Sequence, residues 1–152
     1  MRVLGIDLGL KGALAFVDNG NIDCLLDMPV RKVGDKSAID LHQLRDDLVN
    51  IGPVNMVVLE HVGSMPGNGS TSMFNFGWGA GAIEGLLVAM DRPICKVRPR
   101  IWTRDLDVGK DKDLHRLEAA RLFPSHSDHF ARKKDDGRAD AALLAYWWGS
   151  IR

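Results

Sequence analysis

Apolar residues in the first sixty positions come in short blocks, not at helical spacing. Val3-Leu4-Gly5-Ile6 is an apolar run that ends on a carboxylate, Asp7, in a turn containing Gly9 and Gly12; Ala13 to Val17 then forms a second run. Runs of this length fit buried strands and are too short to argue for helices, and glycine takes up unusual φ values at little cost. Strand, turn and strand are therefore predicted, with Asp7 at a strand end. Asn21 to Met28 reads as a third strand after the Asn19-Gly20 turn and stops at Pro29. Arg31 to Ser37 is polar and is predicted as a loop. From Asp40 the period lengthens: Leu41, Leu44, Leu48 and Val49 recur at helical spacing, with Asp40 as N-cap and Gly52-Pro53 as a stop.

Val54 to Glu60 repeats the opening design, an apolar strand that ends on a carboxylate. A meander, a crossover helix and a further strand imply a mixed sheet in which this strand runs parallel to the first. Both strands then end on one side, which brings Glu60 towards Asp7. His61 to Gly69 lacks periodicity and reads as a loop. Ser70 to Met90 reads as a helix with Met73, Phe76, Ile83, Leu87 and Met90 available to pack, despite glycines at 77, 79, 81 and 85. Each glycine costs a helix about 0.5–1 kcal/mol relative to alanine, so close packing should offset them. Gly77, Gly81 and Gly85 form a stripe without side chains, laid either on the protein's own sheet or against another backbone. Pro93 to Val97 is a further strand, and Arg98 to Arg104 a short basic helix with Pro99 at its first position. Lys110 to Phe123 is a longer helix whose expected packing residues are Leu114, Leu117, Ala120 and Leu122.

The closing stretch, Lys133 to Tyr146, is read as helical. Asp136 and Asp140 lie four apart and share a face, while Asp135 points off it. Alanines and leucines surround Asp140, so it is expected to face inward, where a pair of carboxylates calls for a bound cation.

Composition narrows the class. The chain has 152 residues, 45% hydrophobic and 26% charged, and suits one globular domain over 1–152. No apolar run approaches the ~18 residues of a membrane span, and an acid occurs too early for a signal peptide, so a cytoplasmic protein is expected. Cys24 and Cys95 are expected to be reduced, buried thiols. Zero net charge conceals a polarity: residues 1–91 carry 6 Lys and Arg against 11 Asp and Glu, and residues 92–138 carry 13 against 8. Such a basic segment beside an acidic cleft fits phosphate contact, and equally a solvated helical face.

Taken in order, these motifs resemble the RuvC-type Holliday-junction resolvases, in particular their phage-like branch, within the ribonuclease H-like fold. The resemblance runs nearly end to end. It rests on Val3-Leu-Gly-Ile-Asp7-Leu-Gly, Val57-Val-Leu-Glu60, the loop and helix from Met65 to Gly77, Val97-Arg-Pro-Arg-Ile-Trp102 and Asp136-Gly-Arg-Ala-Asp140. It implies an α/β fold whose mixed central sheet, antiparallel meander then parallel strands, is flanked by helices. The family cuts four-way DNA junctions as a homodimer, using magnesium, with manganese able to substitute. Carried over by motif, Asp7, Glu60, Asp136 and Asp140 are the ligands. Two ions about 4 Å apart would activate a water and stabilise the leaving oxygen. Several cellular members space the last two ligands three apart, but that position is Gly137 here, so the fourth ligand is Asp136 or Asp135.

Other roles follow from the same resemblance. Residues Met65 to Gly69 and Phe74 match the region that enters the junction, and Phe74 would stack on an unpaired base or pack in the core. Arg98, Arg100, Arg104, Lys110 and Lys112 would bind phosphates, or the two lysines would decorate a helix N-terminus. Gly77, Gly81 and Gly85 would form the dimer interface. His61 is next to Glu60 and takes a supporting or structural role; His126 and His129 lack partners for a zinc site. Two other functions compete. An actin- or hexokinase-like ATPase begins with a similar glycine-rich strand, but it needs two domains. A junction-binding protein that does not cut would not need four buried carboxylates.

Overall fold

The computed structural model describes residues 1–61, 63, 67 and 69–152. Strands β1 (Arg2–Asp7), β2 (Ala13–Asp18) and β3 (Asn21–Asp27) form the antiparallel meander. A hairpin follows, β4 (Val30–Val33) with β5 (Lys36–Ile39), then helix α1 (Leu41–Ile51). Strand β6 (Met56–Glu60) returns parallel to β1 and is followed by α2 (Ser70–Ala89). Strand β7 (Ile94–Val97), parallel to β6, completes a five-stranded sheet of order β3-β2-β1-β6-β7. The chain ends with α3 (Pro99–Asp105), α4 (Lys112–Leu122), 3-10 turns at Pro124–Phe130 and Lys133–Asp135, and α5 (Asp136–Ser150).

Alternation along the strands divides the core between the sheet's two faces. Leu4, Ile6, Leu14, Phe16, Val57 and Leu59 pack on α1 and α2 through Leu44, Leu48, Ile83 and Leu87. Val3, Ala13, Ala15, Val17 and Val58 pack on α3, α4 and α5 through Trp102, Ala119, Leu143 and Leu144. Small residues at Ala13, Ala15, Ala141 and Ala145 let α5 lie close to the sheet, and at Gly5 the helix backbone itself meets the strand. A Cβ on Gly5 would stand 2.0 Å from the Ala141 carbonyl oxygen and 2.8 Å from the Ala145 nitrogen. Gly5→Ala should therefore push α5 off β1 and destabilise the fold by about 3 kcal/mol or more. Urea unfolding measures this, and a midpoint equal to wild type would contradict the contact.

Asp40 caps α1 as expected, accepting the backbone N–H groups of His42 and Gln43 at 3.1 Å each. Four expectations need correction. Residues 31–37, predicted as a loop, belong to the β4–β5 hairpin. Its two-residue turn, Gly34-Asp35, has Gly34 at φ +60, the conformation a type II′ turn requires at its first position. The hairpin stands apart from the main sheet and is largely exposed, so it lacks the buried face that marks a strand in sequence. On α4, Leu114 and Leu117 are 46% and 66% exposed, and the inward stripe is His115, Ala119 and Leu122. A histidine can take the buried place because both of its ring nitrogens are hydrogen-bonded. Val49 is likewise exposed, with Ile51 buried in its stead. Cys24 and Cys95 are free thiols but only partly buried. Among the described residues no helix is long and apolar enough to cross a membrane.

Candidate active site

Parallel pairing sets the site. Ile6 lies opposite Leu59, so the next residues, Asp7 and Glu60, leave adjacent strands at the same edge of the sheet. Helix α5 crosses the meander and β1, carrying Asp136 in its first turn and Asp140, 3% exposed, one turn later. All four carboxylates line one cleft of about 1490 Å³. Its walls are the β1–β2 turn, the β4–β5 hairpin, the first half of α2 and the start of α5.

Gly137 explains the spacing of the acids on α5. A Cβ there would stand 2.5 Å from the Lys11 carbonyl oxygen and 3.0 Å from Asp7 Oδ2. The position three before Asp140 is thus pressed against the β1–β2 turn and has no room for a side chain.

Crowded carboxylates raise one another's proton affinity. Burial, then Asp140 and Glu60, push the Asp7 carboxyl from an ordinary 3.8 up to about 8, with Lys112 opposing. Burial also raises Glu60, against the hydrogen bond that Trp102 Nε1 donates to its Oε1 at 3.0 Å. For Lys112, burial alone would depress the ammonium, but Asp140, Asp7 and Glu60 outweigh it and hold its pKa above the ordinary value. Lys112, expected at phosphates or at a helix N-terminus, stands at the start of α4 with its ammonium donating to Asp140 Oδ2.

Two further supports were missed in the sequence. His115, one turn beyond Lys112, lies with Nδ1 2.7 Å from Asp140 Oδ1 and Nε2 3.1 Å from the Gly109 carbonyl oxygen. That carbonyl can only accept, so Nε2 carries a hydrogen. Nδ1–H then serves an ionised Asp140, or a bare Nδ1 accepts from a protonated one. Trp102, fully buried, meets the His115 ring edge-on at 5.1 Å while it holds Glu60, so one aromatic pair links two of the acids. The Lys-x-x-His spacing on α4 was the available signal.

Asp135 and Asp136 are distinguished by their partners. Asp135 is 2% exposed and is committed to Arg132, whose Nη2, backbone N–H and Nε donate to it at 2.9, 2.9 and 3.1 Å. Those hydrogen bonds hold its carboxyl below the ordinary range. Asp136 opens onto the cleft with its side chain 37% exposed and pairs with Arg116. Among the described residues no three His, Cys, Asp or Glu side chains are already closed around one point. The donors still suit a hard divalent cation: they are carboxylate oxygens on one cleft, where Asp140 and Glu60 crowd Asp7.

The remaining candidates lie elsewhere. Arg98, Arg100, Arg104 and Lys110 are exposed, Arg104 is paired with Asp105, and none of the four lines the cleft. Phe74 is 71% exposed, which removes the core-packing alternative. Gly77, Gly81 and Gly85 face open space, with nothing within 4 Å of a Cβ at any of them, so the stripe does not lie on the protein's own sheet. His61 is exposed, and the rings of His126 and His129 lie tilted with centroids 5.9 Å apart, outside the cleft. Met65 lies outside the described residues.

Strand order and helix placement define the class: a ribonuclease H-like fold of the RuvC type. Thermus thermophilus RuvC, solved in complex with a Holliday junction substrate, superposes with a TM-score of 0.65 over 95% of this chain and 90% of its own, at 15% identity. The fowlpox virus resolvase, solved with Holliday junction DNA, gives 0.59 over 99% of both chains at 15% identity. Yeast mitochondrial Ydc2, a Holliday junction resolvase, gives 0.57 over 97% and 77% at 18% identity. In sequence, 85 residues are 35% identical to the chloroplastic Holliday junction resolvase MOC1 of Chlamydomonas reinhardtii; they cover 55% of this chain and 10% of that protein. No family model matches the chain.

Proposed function

We propose that this protein is a divalent-metal-dependent endonuclease that resolves four-way DNA junctions as a homodimer. The observation that carries the reading is the meeting of Asp7, Glu60 and Asp140 at one sheet edge, with the Asp7 carboxyl pushed to about 8. Proteins of this fold named as Holliday junction resolvases support the choice of substrate. Asp7, Glu60, Asp136 and Asp140 would hold two Mg²⁺ ions, with Mn²⁺ able to replace them. Bound there, the metals would activate water and stabilise the leaving oxygen of a phosphodiester. Trp102 fixes Glu60, and His115 and Lys112 fix Asp140, so the chain would supply rigid oxygen donors. Outside the cleft, Arg98, Arg100, Arg104 and Lys110 would contact the phosphates of a flanking arm, and Phe74, exposed on α2, would stack on an unpaired base.

The fourth ligand would be Asp136. Asp136→Asn should reduce cutting at least about tenfold with little change in melting temperature, whereas Asp135→Asn should lower the melting temperature by breaking the Arg132 contacts and leave cutting largely intact. Rates and melting curves for the two variants check this; a dead but stable Asp135→Asn beside an active Asp136→Asn would reverse the assignment. The function itself is tested by incubation with end-labelled four-way junction, linear duplex and ATP, each with Mg²⁺ or EDTA. Metal-dependent cutting of the junction alone is expected. Equal cutting of linear duplex, or ATP hydrolysis in place of cutting, would refute it.

A further inference from the structure

Besides its acids, the cleft carries cations that the sequence reading did not use. Lys11 in the β1–β2 turn, Arg31 and Lys36 on the β4–β5 hairpin, and Lys133 and Lys134 just before α5 all line it. Each of the five is exposed and has no ion-pair partner among the described residues. The cleft's other cations are committed: Lys112 to Asp140, Arg132 to Asp135 and Arg138 to Asp27.

The consequence is an acidic floor within a cationic rim. The floor repels a small anion, whereas a polyanion can span the rim and neutralise cations on several elements at once. The hairpin is also anchored. Ile39 is buried at its base, with Cδ1 only 3.3 Å from the place a Cβ on Gly79 of α2 would occupy. Val30 and Val33, each about half exposed, line the same cleft and offer an apolar surface to sugars and bases.

We infer that the β4–β5 hairpin and the turn before α5 form the two sides of a phosphodiester track, in which Arg31 and Lys36 on one side, and Lys11, Lys133 and Lys134 on the other, hold the backbone of the strand that crosses the carboxylates. The inference rests on the nuclease reading above and adds a strand path that Arg98, Arg100 and Arg104, outside the cleft, do not supply.

The test is the affinity for a fluorescent four-way junction, measured by anisotropy across a NaCl series in EDTA, where nothing is cut. Two double variants are compared with wild type, Arg31→Ala with Lys36→Ala, and Lys133→Ala with Lys134→Ala, with circular dichroism confirming that these exposed changes leave the fold intact. Each pair should reduce the slope of log affinity against log salt by about 1.8, at about 0.9 per lost phosphate contact. Unchanged slopes in both variants, while wild type binds tightly, would overturn the track and leave the nuclease reading standing. A wild type that binds neither junction nor duplex, in EDTA or with Ca²⁺, would remove the nuclease reading and the track with it.

Discussion

Asp7→Asn should abolish junction cutting and at the same time raise the melting temperature of the metal-free protein at neutral pH. Both effects follow from the crowding at the sheet edge. The folded-state value of about 8 lies well above the ordinary 3.8, so folding favours the protonated carboxyl. The stability this group contributes is complete below about pH 4 and is lost as the pH rises to about 8. Asparagine removes the penalty, so the gain should be several degrees at pH 8 and vanish near pH 4. Cutting should fall at least about a hundredfold, because a neutral amide is a poor ligand for a hard cation and the charge that holds the metal is gone. Glu60→Gln should be as inactive. Asp140→Asn should also be inactive but with the opposite sign in stability, since it strands the Lys112 ammonium and the His115 ring that now pair with the carboxylate. Melting curves in EDTA at pH 5 and pH 8, set beside cleavage rates, separate the three. If Asp7→Asn cuts at a near wild-type rate in Mg²⁺, Asp7 is not a ligand.

Gly81→Leu should give a folded monomer that nicks one strand but makes no paired cuts. The glycine stripe lies open, and Trp78, Gly81, Gly85 and Val88 recur three, four and three apart along α2, the spacing of a helix–helix seam. Trp78 and Val88 are 58% and 62% exposed, an apolar surface that a second copy would cover. Within one protomer a leucine at 81 meets nothing and removes a helix-interior glycine, so the variant should be at least as stable as wild type, by about 0.8 kcal/mol on propensity alone. In a twofold interface the same leucine acts twice, preventing the backbones from approaching. Sedimentation at micromolar concentration and mapping of cuts on both strands measure the two consequences. A variant that stays dimeric, or a monomer that still cuts in symmetric pairs, would contradict the interface.

The acids were legible because two of them close apolar strand runs and another sits among alanines on a helix; each is a charge placed where solvation cannot account for it. What supports them was harder to read. His115 and Trp102 serve the site from α4 and α3, and only the folded chain brings them to Asp140 and Glu60. Leu114 and Leu117 drew the reading of α4 to the wrong face, because a leucine signals burial more strongly than a histidine whose partners lie elsewhere in the sequence. The hairpin was missed for a related reason: Arg31, Lys32 and Lys36 look like loop residues, and only Gly34-Asp35 between two short β-compatible runs marked the turn. Gly5 reads in the sequence only as part of the first apolar run, although its lack of a side chain is what admits α5.

The most direct test of the account is cleavage of a four-way junction carrying a distinct label on each strand, by wild type and Asp7→Asn side by side, in Mg²⁺ and in EDTA. Wild type in Mg²⁺ should produce paired cuts on two opposing strands, with none in EDTA and none by Asp7→Asn under either condition. Cutting that persists in EDTA, or that Asp7→Asn performs as well as wild type, would contradict it.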